Sequence, residues 1–202
     1  MKKGKKVTPH RTKKAEFDEL RKVIELDLMQ ELTRVAPKPT LADAERLFLL
    51  APVQEAVVRA ADELRKLVIE FQNGGMMFQY RKFFVGAAGV GIIRLKSRCK
   101  WYVRTAYNTK DHQNAVKKCA EMRIMRRMHQ HSAILIGMVV LGFPREEDTD
   151  CTLHPCEACR HQMRGQFRHL FSSSTRFVLV LPEQPVREGF NIEALMEHHQ
   201  EA

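Results

Sequence analysis

From about residue 76 onward, the sequence alternates between short apolar runs and amphipathic segments. The apolar runs predict strands over residues 83–90, 101–107, 133–143 and 177–181. The amphipathic segments predict helices over residues 117–128 and 156–167, and a short last helix from Asn191 to residue 198. Strands that are separated by helices favour one three-layer α/β domain, which we place at residues 76–202.

The first 75 residues predict helices instead. Residues 1–14 contain seven lysines and arginines and no acid, and we interpret them as a basic, disordered tail. Residues 15–75 form a helical extension, in which a first apolar series starts at Phe17 and Thr40 caps a second helix beginning near Leu41. The third helix ends at Asn73-Gly74-Gly75. No motif in this extension indicates a chemical function.

Composition places the chain among globular proteins. Of its 202 residues, 44% are hydrophobic and 29% are charged, with a formal net charge of +10. The longest apolar run, residues 133–143, is too short to cross a bilayer. The N-terminus lacks the apolar segment of a secretory signal. We therefore expect an intracellular, cytoplasmic protein with reduced cysteines, although a basic N-terminus also suits a nuclear or organellar address.

Two cysteine-containing motifs stand at predicted helix starts. Cys156 and Cys159 follow Pro155, and two thiols on one helical turn can share a metal ion. A helix N-terminus also stabilises thiolates through its unpaired N–H groups. Upstream, Cys119 precedes Glu121 by two residues and supplies a third thiol beside a carboxyl group.

The combination predicts a catalytic zinc ion. Three protein ligands and one open position are typical of catalytic zinc sites. A carboxylate that is not a ligand can move the proton of a water molecule held there. This order of motifs is the signature of zinc deaminases. A redox dithiol and a purely structural zinc site are the alternatives, and neither requires Glu121.

These motifs resemble the cytidine deaminase family, and in particular its three-cysteine, tetrameric type, which includes blasticidin S deaminase. The resemblance covers about residues 76–199. Residues 80–88 resemble the family's Tyr-Ser-x-Phe-Pro-Val-Gly-Ala-Ala strand, and Tyr107-Asn108 resembles the start of its Asn-x-Glu-Asn-Ala segment. Cys119-Ala120-Glu121 matches its Cys-Ala-Glu, and residues 155–164 resemble its Pro-Cys-Gly-Ala-Cys-Arg-Gln-x-Met-Arg helix.

The family likeness implies a cytidine deaminase-like fold with a mixed five-stranded sheet, and a homotetramer. The link from Leu181 to Asn191 is too short for a helical crossover, which favours an antiparallel last strand. The family pattern also implies roles for individual residues. Glu121 would protonate N3 of the base, take a proton from the attacking water and pass one to the leaving ammonia. The implied zinc ligands are Cys119, Cys156 and Cys159, and the implied substrate-binding positions are Phe83, Asn108, Lys110 and the Ala120 backbone.

Two positions depart from the family pattern. Lys110 replaces the glutamate that binds ribose, and an ammonium group cannot accept a hydrogen bond from a hydroxyl. A lysine there suits a phosphate. Met122 replaces an arginine that follows the family's Cys-Ala-Glu.

We predict a zinc-dependent hydrolase that converts cytidine, deoxycytidine or a related cytosine compound to the uracil form. The first alternative is a protein that deaminates or binds cytosine in nucleotides or nucleic acid, for which the basic tail and a basic hairpin with Trp101 and Tyr102 would supply contacts. The second alternative is a non-catalytic zinc protein. We expect a nucleoside or nucleotide as the substrate and no membrane partner.

Overall fold

A computed structural model describes residues 9–42, 44–73, 85–96, 98–108, 119–142, 157–180 and 190–191. The helices are α1 (Pro9–Val35), α2 (Ala44–Leu49), α3 (Ala51–Asn73), α4 (Ala120–Gln130) and α5 (Glu157–Arg164), and Arg168–Leu170 form a 3-10 turn. The strands are β1 (Val85–Arg94), β2 (Cys99–Tyr107), β3 (Ala133–Gly142), β4 (Phe171–Val180) and β5 (Phe190–Asn191).

The strands pair in the order β2-β1-β3-β4-β5. Strand β1 is antiparallel to both of its neighbours, β2 and β3. Strands β3 and β4 are parallel, and the two residues of β5 pair with β4 in antiparallel fashion. The predicted mixed α/β architecture is confirmed. None of the helices in the described part of the chain is long and apolar enough to cross a membrane.

Several element boundaries differ from the sequence prediction. Helix α1 (Pro9–Val35) includes residues 9–14, so the prediction of a disordered tail was wrong for these residues. The second helix is present, but α2 begins at Ala44, three residues after the predicted start near Leu41. Strand β4 begins at Phe171, six residues before the predicted start, because the serine-rich stretch after it does not look like a strand in sequence. Asn191 ends β5, and the helix predicted after it lies outside the described residues.

The sheet is covered on both faces. Helices α1, α2 and α3 share one apolar cluster with one face of β1, β2 and β3. Helices α4 and α5 form a second cluster with the other face. The N-terminal helices therefore form one of the layers that bury the sheet, as a three-layer α/β arrangement requires.

Gly137 on β3 allows the first layer to approach the sheet. A Cβ atom at this position would overlap the ring of Phe48, which is fully buried. We expect Gly137→Ala to lower the free energy of unfolding by about 1–3 kcal/mol, because either the ring or the strand must move. Gly165→Ala is the matched control, since its nearest atom would be the His161 carbonyl oxygen at 3.4 Å. Equal urea midpoints for the two variants would contradict this packing.

The outer edge of β2 is covered by side chains of α1. Glu25 accepts hydrogen bonds from the Thr105 backbone N–H at 2.9 Å and from Arg104 at 3.0 Å. Arg21 donates to the Thr105 carbonyl oxygen at 3.3 Å. The outward backbone groups of Thr105 are thus paired with α1, so this part of the strand edge does not offer them to another chain.

Removal of the Glu25 carboxylate leaves the buried N–H of Thr105 without this acceptor. We expect Glu25→Ala to cost about 1–3 kcal/mol of stability. Glu31→Ala removes a carboxylate from the same helix, but Glu31 pairs with Arg34 near solvent, and we expect a clearly smaller loss of stability. Thermal unfolding of both variants tests the difference, and equal shifts in Tm would be inconsistent with the Glu25 network.

Candidate metal centre and active site

Helix α4 has a fixed place on the sheet. The Ile124 side chain of this helix packs on Gly89 of β1. A Cβ atom at residue 89 would overlap the Ile124 side chain. At the start of the helix, Arg123 donates to the Tyr107 carbonyl oxygen at 2.8 Å, and its guanidinium carbon lies 4.6 Å from the centre of the Tyr107 ring. The first turn of α4 therefore lies at the end of the sheet where β2 finishes.

This first turn contains the predicted Cys-Ala-Glu motif. Cys119 is the residue before the helix, with extended backbone angles (φ −63°, ψ 143°), and its side chain is half-buried. Ala120 is fully buried. Glu121 is 7% exposed and is the only buried acidic residue among the residues whose side chains are described. A carboxyl group in the first turn is favoured electrostatically by the helix N-terminus.

Cys159 lies on α5 and is fully buried. It belongs to the same apolar cluster as Ala120 and Met122, and Cys119 packs against that cluster. The structure thus brings two of the three predicted zinc ligands to one cluster. Cys156, the third, lies outside the described residues. Within the described residues alone, no group of three or more histidine, cysteine, aspartate or glutamate side chains could hold a metal ion.

The predicted substrate-binding residues are described in part. Asn108 directly follows β2 and is half-buried. The Ala120 backbone lies at the first position of α4. Phe83 and Lys110 lie outside the described residues.

Two residues at this end of the sheet were not predicted as part of the site. Tyr107 is buried, and this burial raises the pKa of its phenol above the ordinary value of 10.0, while the positive charge of Arg123 opposes the shift. Arg123 joins the α4 first turn to β2 through Tyr107. Met122, by contrast, is fully buried, so the position where the family has an arginine contributes to the core here. In the sequence, the only indication that Arg123 belongs to the site is its position next to Met122, where the chain departs from the family pattern.

The basic hairpin does not offer aromatic side chains to a nucleic acid. Trp101 is buried, and its indole N–H donates to the Ala36 carbonyl oxygen at 2.8 Å. Tyr102 is buried on the opposite face of the sheet. The two rings are therefore not available for bases to stack on, because successive side chains of β2 point to opposite faces of the sheet and each ring enters one of the two cores.

No family model matches the sequence, and no curated protein matches it.

Proposed function

We propose that the protein is a zinc-dependent hydrolytic deaminase of cytidine, deoxycytidine or a related cytosine compound. The observation that carries the proposal is the placement of Glu121: a buried carboxyl group in the first turn of a helix, two residues after a half-buried thiol. A carboxyl group held away from bulk water beside a metal-binding thiol is suited to transferring protons to and from a bound substrate.

The residues fit a zinc ion by the chemistry of their donor atoms. Cys119, Cys156 and Cys159 would hold it, and three thiolates leave a fourth position open for a small ligand. Two of the three sulfur-bearing side chains already share one apolar cluster. When bound, zinc would act as a Lewis acid and lower the pKa of a water molecule towards neutral pH.

The chain's own residues would perform the proton transfers. Glu121 would protonate N3 of the pyrimidine, which makes C4 more electrophilic, and would accept a proton from the attacking water. It would then deliver a proton to the departing amino group, so that ammonia leaves. The Ala120 backbone and Asn108 would orient the base and the ribose.

The fold supports this proposal. A sheet in which β1 is antiparallel to both neighbours, β3 is parallel to β4, and β5 returns antiparallel is what the cytidine deaminase-like fold would require. Helices α4 and α5, which contain Glu121 and Cys159 and which Cys119 and Cys156 directly precede in the sequence, lie on the same face of that sheet. A homotetramer, as the resemblance implies, is part of the same proposal.

Ammonia release from a substrate panel tests the proposal. Zinc-loaded protein would be given cytidine, deoxycytidine, their monophosphates and a cytosine-containing single strand. We expect one class to release ammonia, and Lys110 favours the monophosphates because its ammonium group suits a phosphate. Zinc-loaded protein that releases no ammonia from any of these compounds would contradict the proposal.

A further inference from the structure

Three connections meet at the end of the sheet that is opposite the α4 first turn. They are the β1–β2 hairpin (residues 94–100), the α4–β3 turn (residues 126–132) and the α5–β4 connection (residues 164–170). The strand register brings them together, because Ile93 pairs with Lys100 on β2 and with Ala133 on β3. Phe171, at the start of β4, pairs with Leu135. We call these three segments the basic end.

The basic end has an extreme charge. Its three segments contain eight lysines and arginines, three histidines and no aspartate or glutamate. The lysines and arginines are Arg94, Lys96, Arg98, Lys100, Arg126, Arg127, Arg164 and Arg168. The histidines are His129, His131 and His169. All of these side chains are exposed except that of Arg126, which is half-buried.

The hairpin charges are available to a ligand. Within the described residues, Arg94, Lys96, Arg98 and Lys100 make no ion pair and no side-chain hydrogen bond. Helix α1 also ends near this surface, where Ala36 contacts Trp101, but its Glu31 is already paired with Arg34. The cationic field of the hairpin is therefore not neutralised by this neighbour.

The other two segments are fixed to each other. The His129 Nδ1 atom lies 2.9 Å from the His169 Nε2 atom, which is hydrogen-bond distance. The His129 ring also packs edge-on against Phe167, with ring centres 5.9 Å apart. The charges of the α4–β3 turn and of the α5–β4 connection are thus held on one framework, which lowers the entropy lost when a rigid polyanion binds.

We propose that the basic end binds the phosphate backbone of double-helical nucleic acid without preference for base sequence. Single strands are bound through bases stacked on exposed aromatic rings. At this end, Trp101, Tyr102 and Phe167 are all buried, so charge is what the surface presents. A membrane is disfavoured because the large apolar side chains that are exposed in the described residues, Leu20, Val23, Leu26 and Leu50, all lie outside the three segments.

This surface is separate from the proposed active site. Helix α4 begins beside Cys119 and ends at the α4–β3 turn, and its 11 residues span about 16 Å. A duplex bound at the basic end would therefore not need to contact the α4 first turn. The proposal does not depend on the deaminase activity.

Fluorescence anisotropy with a labelled 20-base-pair DNA duplex tests the proposal on the full chain. If four hairpin side chains contact phosphates, the affinity would fall on the order of 10²-fold between 50 and 200 mM KCl. The double variant Lys96→Gln/Arg98→Gln is expected to reduce the slope of log affinity against log salt by about 1.8, since each phosphate contact contributes about 0.9. Ammonia release by this variant is expected to equal that of the unmodified chain.

The matched control is Lys22→Gln/Lys66→Gln, which removes the same charge from α1 and α3. Both of these lysines are exposed and paired with acids, Lys22 with Glu19 and Lys66 with Asp62. The control is expected to keep the salt slope of the unmodified chain. Equal losses in the two double variants, tighter binding of a 20-nucleotide single strand than of the duplex, or hairpin-dependent binding to phosphatidylserine vesicles in place of the duplex would each overturn the proposal.

Discussion

Glu121→Gln is expected to lower kcat for deamination by about 10²–10⁴-fold or more and to leave one zinc ion bound per chain. Glutamine keeps the size of the side chain and its hydrogen-bonding atoms but cannot take up and deliver a proton at neutral pH. Because Glu121 is buried, bulk water cannot readily replace it as the proton carrier. Steady-state ammonia release and zinc content, measured on the same sample, provide the test.

The control for this substitution is Glu63→Gln. Glu63 is exposed on α3, on the other side of the sheet from α4, and we expect its replacement to change kcat by less than about twofold, as surface substitutions usually do. A Glu121→Gln protein that retains both zinc and full activity would show that the carboxylate is only structural. A buried Glu121 that serves stability alone would change the unfolding midpoint and leave kcat unaltered.

Cys159→Ser is expected to abolish stoichiometric zinc binding and, with it, deamination. A serine hydroxyl is a far poorer zinc ligand than a thiolate, and the two remaining cysteines are fewer than the three protein ligands of a catalytic zinc site. Cys159 is fully buried, so the loss of the metal would also lower the stability of the α4–α5 layer. Zinc content and thermal unfolding, each with and without a chelator, are the measurements.

Cys99→Ser is the matched control for this second substitution. Cys99 is half-buried at the start of β2, at the basic end of the sheet, and it packs against the cluster on the other face. Its replacement is expected to keep zinc binding, and the chelator should still lower Tm in this variant. If the chelator lowers Tm equally in Cys99→Ser and Cys159→Ser, Cys159 is not a zinc ligand.

The position of α4 on the sheet follows largely from local sequence patterns. A helix was predicted over residues 117–128, and within this range the helical spacing of Ala120, Ile124 and Met128 gives α4 its buried face. The strand predicted over residues 83–90 contains a run of small residues, and at one of them, Gly89, Ile124 packs onto the sheet. Local periodicity was sufficient here because one helix and one strand determine the contact.

Other features depend on long-range contacts that no local pattern encodes. The aromatic pair Trp101 and Tyr102 looked like a stacking surface, yet α1 covers one ring and the α4 layer covers the other. The edge of β2 is covered by Glu25, which is 80 residues away in sequence from Thr105. The start of β4 at Phe171 was missed because its pairing with Leu135 outweighs the low strand propensity of the serines that follow.

The geometry of the bound zinc tests the central claim most directly. X-ray absorption at the zinc edge distinguishes sulfur neighbours at about 2.3 Å from oxygen or nitrogen neighbours at about 2.0–2.2 Å. We predict three sulfur neighbours and one lighter neighbour in the unmodified chain, and the same set in Glu121→Gln. A zinc ion with four sulfur neighbours, or a purified chain that binds no zinc, would contradict a catalytic zinc site at Cys119, Cys156 and Cys159.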